Sequence, residues 1–154
     1  MQTIQKQNSL GGNIAIFIIP STLVHSILGE TILYVGTNPT YELECAKESI
    51  QHISKQEETR AGTLYQHSIK GFIPGNTEDI RQMLVKLSRY ASLIAVLQNS
   101  DGEFTHIGNT REGLKLFTDF DSSSDPSGRN GYTIELAGKL TTLPHPVQMP
   151  AIPL

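Results

Sequence analysis

The sequence has no tryptophan, one cysteine and an aromatic fraction of only 6%. Aromatic side chains supply the flat surfaces on which sugars and other small ligands stack, so their scarcity argues against a binding module for such ligands. Cys45 has no second cysteine with which to form an intrachain disulfide. A single cysteine agrees with a protein that is made and kept in a reducing compartment, the cytoplasm.

Basic residues and long apolar runs are also scarce. The 12 Lys and Arg residues are outnumbered by 15 Asp and Glu residues, and they do not cluster along the chain. This distribution disfavours sequence-independent binding to nucleic acid. The longest apolar run, residues 14–20, falls short of the about 18 residues that cross a bilayer, and it lacks the flanks of a secretion signal. With 38% hydrophobic residues, we expect one domain with one core and no membrane partner.

One amphipathic helix is predicted over residues 76–91. Asn76 or Thr77 can cap its first N–H groups, and Glu78 and Asp79 place negative charge at the positive end of the helix dipole. Apolar side chains recur at the spacing of a single helix face: Ile80, Met83, Leu84, Leu87 and Ala91. This face is expected to pack on a core, and the polar face remains open to water or to a neighbouring chain.

Most of the other patterned segments predict β-strands. The candidates are residues 14–19, 31–36, 40–46, 49–53, 63–73, 93–97, 103–107, 113–120 and 132–140. Turn residues predict hairpins closed by residues 37–39, 99–102 and 121–130. The polar segment 48–62 is either the tip of a further hairpin or a flexible loop, and residues 21–28 fit either a short helix or a strand. The fold class is therefore mainly β with one flanking α-helix.

Two terminal arms are predicted on either side of a β-rich domain that covers residues 14–143. Residues 1–13 form a polar N-terminal arm, and residues 144–154 form a Pro-rich C-terminal arm whose prolines interrupt strand pairing. We expect both arms to order against neighbouring subunits instead of their own domain. The residues proposed for this contact between subunits are Pro144, Val147, Met149, Ile152 and Leu154.

The sequence predicts no catalytic residue, no cofactor site and no metal site. The five histidines do not occur at a spacing that would place two of them on one face toward a metal. Asp121 and Asp125 lie in a Ser-rich segment that lacks the calcium-loop spacing, so a solvated hairpin tip is favoured. Cys45 alternates with Tyr41 and Leu43 on an apolar strand face, which is typical of a small buried side chain and not of a nucleophile.

Four segments, taken in order, resemble the tail-tube-like virion proteins of tailed bacteriophages. The similarity is particularly to small tail and neck proteins of phages that infect Bacteroidota, including crAss-like phages, and it covers residues 14–143. The segments are F-I-P-G-N-T-E-D-I at 72–80, I-A-V-L-Q-N-S-D-G at 94–102, D-F-D-S at 119–122 and R-N-G-Y-T-I-E-L-A-G at 129–138. The two terminal arms are longer than a minimal tube subunit needs. This leaves open that the chain is a connector, terminator or ring protein of a short tail instead of the subunit of the main tube.

The resemblance implies a two-sheet β-sandwich or partial barrel that assembles into rings whose inner sheet lines a channel for DNA or cargo. Its partners would be copies of itself and neighbouring tail or neck proteins, with DNA passing transiently, in a virion built in the host cytoplasm. Members of this family carry no catalytic residues. Glu42 and Glu44 form the polar face of the segment 40–46, which is either an ordinary solvated strand face or an acidic wall. In a ring we expect them to face the channel and not the outside, because carboxylates repel phosphates.

Two other classes of function remain open. One is a soluble β-rich module that binds a small ligand or glycan, and the other is an enzyme of unrecognised type. The first lacks aromatic platforms, and the second lacks a mutually supporting set of acid, base and nucleophile. Assembly into particles of ring or tube size would favour the structural subunit over both alternatives.

Overall fold

The computed structural model describes residues 12–122 and 130–154. Strands make up 59% of the described residues and helices 10%, in two sheets with a single α-helix, so the prediction of a mainly β fold is confirmed. In chain order the elements are β1 Asn13–Pro20, a 3₁₀ helix Ser21–Leu23, β2 Val24–Leu28, β3 Thr31–Tyr34, β4 Tyr41–Leu43, β5 Gln51–Thr59, β6 Gly62–Pro74, α1 Glu78–Ser88, β7 Leu93–Asn99, β8 Phe104–Ile107, β9 Lys115–Asp121, β10 Gly131–Leu140 and β11 His145–Pro153.

A seven-stranded sheet and a four-stranded sheet form the body of the protein. The large sheet has the order β2-β3-β11-β8-β7-β1-β4, and the small sheet has the order β5-β6-β10-β9. Neighbouring strands are antiparallel, except that β11 runs parallel to β3. Two predicted hairpins are confirmed, since β7 pairs with β8 and β9 with β10. Of the two alternatives for residues 48–62, the structure has the hairpin, because β5 pairs with β6.

The large sheet is strongly curled. Strands β1 and β2 lie five positions apart in it, yet only the three residues Ser21–Leu23 connect them. Five strand spacings in a flat sheet span about 24 Å, whereas a connection of this length reaches about 14 Å. The sheet therefore folds back on itself, although it does not close into a barrel.

This curl buries the central strands on both faces. On β7, Leu93, Ala95 and Leu97 face the main core between the two sheets, and Ile94 and Val96 face a second core inside the curl. A strand that is covered on both sides needs apolar residues at every position, which explains the unbroken apolar run of β7. All five of these residues are buried.

Helix α1 closes the main core at one side. Thr77 caps its start, since the Thr77 Oγ1 accepts a hydrogen bond from the Ile80 backbone N at 3.3 Å. Leu84 and Leu87 are buried in the main core, as the periodicity predicted. At the other end, the Lys115 ammonium donates to the Ser88 carbonyl oxygen at 2.6 Å, which places positive charge at the negative end of the dipole.

The predicted hairpin between segments 31–36 and 40–46 is wrong. Strand β3 pairs with β2 and β11, whereas β4 pairs with β1 at the opposite edge of the large sheet. Residues 35–40 connect β3 to β4. This short connection is possible because the curl of the large sheet brings its two edges near each other. Alternation indicated the face of each strand but did not determine its partner. Residues 21–28 contain both of the predicted alternatives, a 3₁₀ turn followed by a strand.

The C-terminal segment is a strand of its own domain, which corrects the prediction of a detached arm. Strand β11 lies between β3 and β8 in the large sheet, and its Val147 and Ala151 are buried in the second core. The prolines are accommodated because the pairing with β3 shifts register between Gln148 and Ile152, around Pro150. The N-terminal arm prediction concerns residues 1–13, of which 1–11 lie outside the described residues, and Asn13 begins β1. Residues 123–129, which include Asp125, also lie outside them.

Candidate functional site

The two edges of the small sheet are long and regular. Strand β5 pairs with β6 over nine consecutive residue pairs, and β9 pairs with β10 over seven, without a register shift in either ladder. The edges of the large sheet are different: β4 has only three residues, and the pairing of β2 shifts register between Val24 and Ser26. Natural sheets protect their edges with short strands, bulges or prolines. Strands β5 and β9 contain none of these three features, although both carry charged side chains, which are a further form of edge protection: Lys55, Glu57 and Glu58 on β5, and Lys115, Asp119 and Asp121 on β9.

The hairpin turn determines which backbone groups of β5 point to the open edge. Thr59 and Gly62 pair across a two-residue loop, and a loop of this length closes on a hydrogen-bonded pair. Because hydrogen-bonding direction alternates along a strand, the odd-numbered residues of β5 bond to β6. The even-numbered residues point their N–H and C=O groups to the open edge; they are His52, Ser54, Gln56 and Glu58.

Large apolar side chains are exposed on both edge strands. Ile53 on β5 is 42% exposed, and Phe117 and Phe120 on β9 are 55% and 47% exposed. Phe120 lies 5.0 Å from Tyr132, measured between ring centroids, and extends the aromatic surface onto β10. Apolar groups in such positions are typical of surfaces that another protein covers.

The two edge strands are also staggered along the sheet. Three residue pairs show this stagger. Gln51 on β5 lies opposite Lys70 on β6, Lys70 lies opposite Glu135 on β10, and Glu135 lies opposite Phe117 on β9. Most of β5 therefore extends past one end of β9, and most of β9 extends past the other end of β5. The two open edges therefore lie toward opposite ends of the sheet.

Glu42 and Glu44 are both exposed and lie at the mouth of a groove of about 460 Å³ between β4 and the start of α1. Ile73, Ile80 and Met83 also line this groove. Glu42 therefore lies on β4 of the large sheet and Glu44 directly after it, on the side of the molecule where the helix begins. Their position toward a channel stays a prediction.

The residues proposed for the C-terminal contact divide into two groups. Val147 is buried, and Met149 packs against the second core, so these two side chains are committed to their own domain. Ile152 and Leu154 are 48% and 70% exposed. The Leu154 backbone N nevertheless donates to the Tyr34 carbonyl oxygen at 2.8 Å, which attaches the chain end to β3. Pro144, directly before β11, is half-buried.

Four of the five histidines form two pairs that the sequence reasoning missed. His52 Nε2 lies 3.1 Å from His67 Nδ1 across β5 and β6. The rings of His106 and His145, which are direct register partners on β8 and β11, have centroids 5.8 Å apart. The first pair lies within one predicted hairpin and could have been found from its register. The second joins strands that are distant in sequence.

Cys45 is an inert thiol near neutral pH. Its burial raises the pKa of the thiol to about 11, so the nucleophilic thiolate is scarce. The side chain packs against the main core, and a Cβ added to Gly71 would lie only 2.9 Å from its sulfur. Cys45 is therefore a small, half-buried side chain at the margin of the core, and not the fully buried one that the sequence predicted.

No metal cluster and no membrane-spanning helix occur within residues 12–122 and 130–154. No group of three or more His, Cys, Asp or Glu side chains is placed to hold a metal there. The helices of this part of the chain are also too short or too polar to cross a bilayer.

We expect the stability of the protein to fall as the pH drops below about 6.5. Burial lowers the pKa of His106 below its ordinary value of 6.5, and the neighbouring His145 adds to this, although the hydrogen bond to the Gly108 carbonyl opposes it. A histidine whose pKa is lowered by folding binds protons more readily in the unfolded state. The contribution of neutral His106 to the free energy of unfolding is therefore complete above about pH 6.5, and it is lost as the pH falls below that value.

Urea denaturation between about pH 7.5 and pH 5.5 measures this loss as a decrease in the free energy of unfolding. The substitution His106→Asn keeps a donor near Nδ1 and should reduce the decrease. His25→Gln is the matched control, because His25 is exposed and, among the residues that the structure describes, its ring bonds only to the adjacent Ser26. Equal pH dependence in the wild-type protein and His106→Asn would contradict the account.

Comparison of the chain with protein-family models, with curated proteins and with solved structures finds no match.

Proposed function

We propose that the chain is a ring- or tube-forming structural subunit of a bacteriophage tail or neck, and that its copies join through the open edges of the small sheet. The observation that carries this proposal is the pair of long, regular edges of β5 and β9. Within residues 12–122 and 130–154 no further strand pairs with either edge. Strand edges with exposed apolar side chains need a cover, and a second copy of the same sheet supplies one. The resemblance of the sequence to tail-tube-like proteins supports the phage context.

The direction of the strands fits a head-to-tail contact. The four strands of the small sheet alternate in direction, so β5 and β9 run opposite ways. When two subunits stand side by side in the same orientation, β9 of the first meets β5 of the second antiparallel. A contact of this heterologous kind repeats around an axis, and it closes into a ring when the rotation allows.

The stagger of the two edges fits the geometry of a closed sheet. Pairing β5 and β9 over their full lengths shifts the register by about five residues per subunit, or about 17 Å. Four strands are about 19 Å wide, so the strands would tilt by about 40° from the ring axis. Closed β-barrels have strand tilts of about 35–45°.

The ring would enclose a channel for DNA or cargo, and its other partners would be neighbouring tail or neck proteins. Glu42 and Glu44 lie on the large-sheet side of the subunit. They remain our candidates for the channel wall in a ring whose large sheets face the axis, because repeated carboxylates repel phosphates over about 8–10 Å at physiological salt. The virion tail or neck is the proposed location, after synthesis in the host cytoplasm. No enzymatic step is required of a subunit of this kind.

Gln56→Pro is expected to abolish self-association while the subunit stays folded. The Gln56 N–H points to the open edge, so proline removes a donor that the neighbouring subunit needs but leaves the bonds to β6 in place. Sedimentation velocity of the purified protein measures the assembly, and circular dichroism checks the fold.

Gln56→Thr is the matched control, since threonine keeps the N–H and suits a strand, and it should assemble like the wild-type protein. Lys55→Pro tests the assignment of direction, because the Lys55 N–H bonds to β6 and its loss should destabilise the hairpin itself. A Gln56→Pro protein that is folded and still assembles would refute the edge contact.

A further inference from the structure

The loop of the β5–β6 hairpin extends past one end of β10. Strand β6 pairs with β10 only as far as Tyr65, which lies opposite Leu140, and the hairpin continues from there by three further residue pairs. The two-residue loop at its end consists of Arg60 and Ala61, and residues 58–62 are all exposed. The hairpin loop therefore presents a cationic side chain to solvent.

The carboxylates near this loop are engaged by the hairpin and its neighbour. Glu58 accepts a hydrogen bond from the Thr63 hydroxyl at 3.0 Å, and Glu57 forms an ion pair with Lys139 at 3.1 Å. Arg60 forms no hydrogen bond and no ion pair within the part of the chain that the structure describes. Its guanidinium is therefore free to bind an acceptor on another molecule.

The groove beside α1, of about 460 Å³, lies at the opposite end of β6. Ile73 and Pro74, the last residues of that strand, line the groove, whereas Gly62, the first residue, follows the hairpin loop. Strand β6 has 13 residues, and a strand of this length spans about 40 Å. The loop and the groove of one molecule are thus too far apart to meet, so a contact between them joins two copies of the chain.

The groove has both surfaces that an arginine side chain needs. Ile80 and Met83 supply an apolar wall for its methylene stem. Glu42, Glu44 and Asp79 also line the groove, and none of these carboxylates forms an ion pair with another described residue. A carboxylate binds a guanidinium through two parallel hydrogen bonds. The positive end of the helix dipole lies here too, but it amounts to about half an elementary charge against three carboxylates.

We propose that the β5–β6 loop of one copy docks in the α1 groove of the next copy, with Arg60 between the carboxylates. The loop and the groove are different surfaces, so the contact is heterologous and repeats in one direction. The inference rests on the proposed function in one respect: where β5 and β9 close a ring, this contact stacks that ring on the next. One arginine offsets one of three carboxylates, so the groove keeps the negative charge expected of a channel wall.

Disulfide cross-linking of the full-length protein tests the contact without requiring a ring. Ala61→Cys and Pro74→Cys in one chain place a thiol on the loop and a thiol at the groove, and both positions are exposed. Under mild oxidation, a bond between positions 61 and 74 of two copies should form at least about tenfold faster than one between 61 and 101 in a chain with Ala61→Cys and Asp101→Cys. Asp101 is equally exposed, on the turn between β7 and β8. Peptide mapping by mass spectrometry identifies each bond.

A charge reversal on the loop tests the role of Arg60 in this cross-link. Adding Arg60→Glu to the chain with Ala61→Cys and Pro74→Cys should slow the bond by about tenfold or more, the factor lost with one charged hydrogen bond. Arg111→Glu is the matched control, because it makes the same change of charge at another exposed arginine and should leave the rate unchanged. Equal rates with Arg60→Glu and Arg111→Glu would overturn the docking of Arg60.

Electron microscopy of the same charge variants without added cysteines separates this contact from the proposed function. The wild-type protein and Arg111→Glu should form stacked rings, whereas Arg60→Glu should form single rings. Rings without a preferred bond between 61 and 74 would overturn the stacking contact alone and leave the groove to a cationic segment of another protein. A preferred bond in a protein that never forms rings would overturn the proposed function alone.

Discussion

Removal of residues 144–154 is expected to unfold the protein. Strand β11 stands between β3 and β8, so its loss leaves β2 and β3 without a connection to the rest of the large sheet. The second core would also lose Val147 and Ala151 and expose its remaining side chains. The cost is comparable to the total stability of a small domain, about 5–15 kcal/mol. Thermal melting followed by circular dichroism should show no cooperative transition.

Removal of Leu154 alone is the control for this truncation. The side chain is 70% exposed, and only one backbone hydrogen bond, to the Tyr34 carbonyl oxygen, is lost. The expected cost is about 0.5–1.5 kcal/mol. If the protein without residues 144–154 melted cooperatively near the wild-type temperature, the C-terminal segment would be a separable arm after all.

Leu84→Ala should lower the free energy of unfolding by about 2–5 kcal/mol. Leu84 is 4% exposed and lies in the main core, so its truncation removes buried apolar surface and leaves a cavity. Urea denaturation of the wild-type protein and the variant measures the difference.

Val85→Ala provides a matched comparison on the same helix. Val85 is 51% exposed, and alanine is the better helix former, so the change should stay within about 0.5 kcal/mol. Similar losses for the two variants would mean that helix α1 does not close the core through Leu84.

The parts of the fold that the sequence predicted are those governed by local rules. Helix α1 follows from a 3.6-residue periodicity and a cap at Thr77, and the hairpin β7–β8 follows from a turn between two alternating segments. In each case the partner lies close along the chain.

The parts that were predicted wrongly depend on contacts between distant segments. Strand β4 has three residues and pairs with β1, and nothing in its composition distinguishes β1 from β3 as a partner. Strand β11 contains several prolines, which local rules assign to an arm, but its Val147 and Ala151 complete a core formed by the curl of the large sheet. The curl depends on the whole sheet, so the sequence of a single strand does not predict it.

The candidate site was only partly accessible from the sequence. The exposed face with Glu42 and Glu44 could be read from alternation, and their exposure is confirmed. The open edges of β5 and β9 could not, because edge position depends on the order of strands in the sheet. The His52–His67 contact could be found from the register of the β5–β6 hairpin, but the sequence left open whether residues 48–62 form a hairpin or a flexible loop.

Electron microscopy of the purified full-length protein at neutral pH, with sedimentation velocity on the same sample, tests the central claim most directly. The account predicts rings or short tubes with a central channel, in which β9 of each subunit pairs with β5 of the next. A protein that stays monomeric across the accessible concentration range, or that assembles with both edges of the small sheet open to solvent, would contradict it.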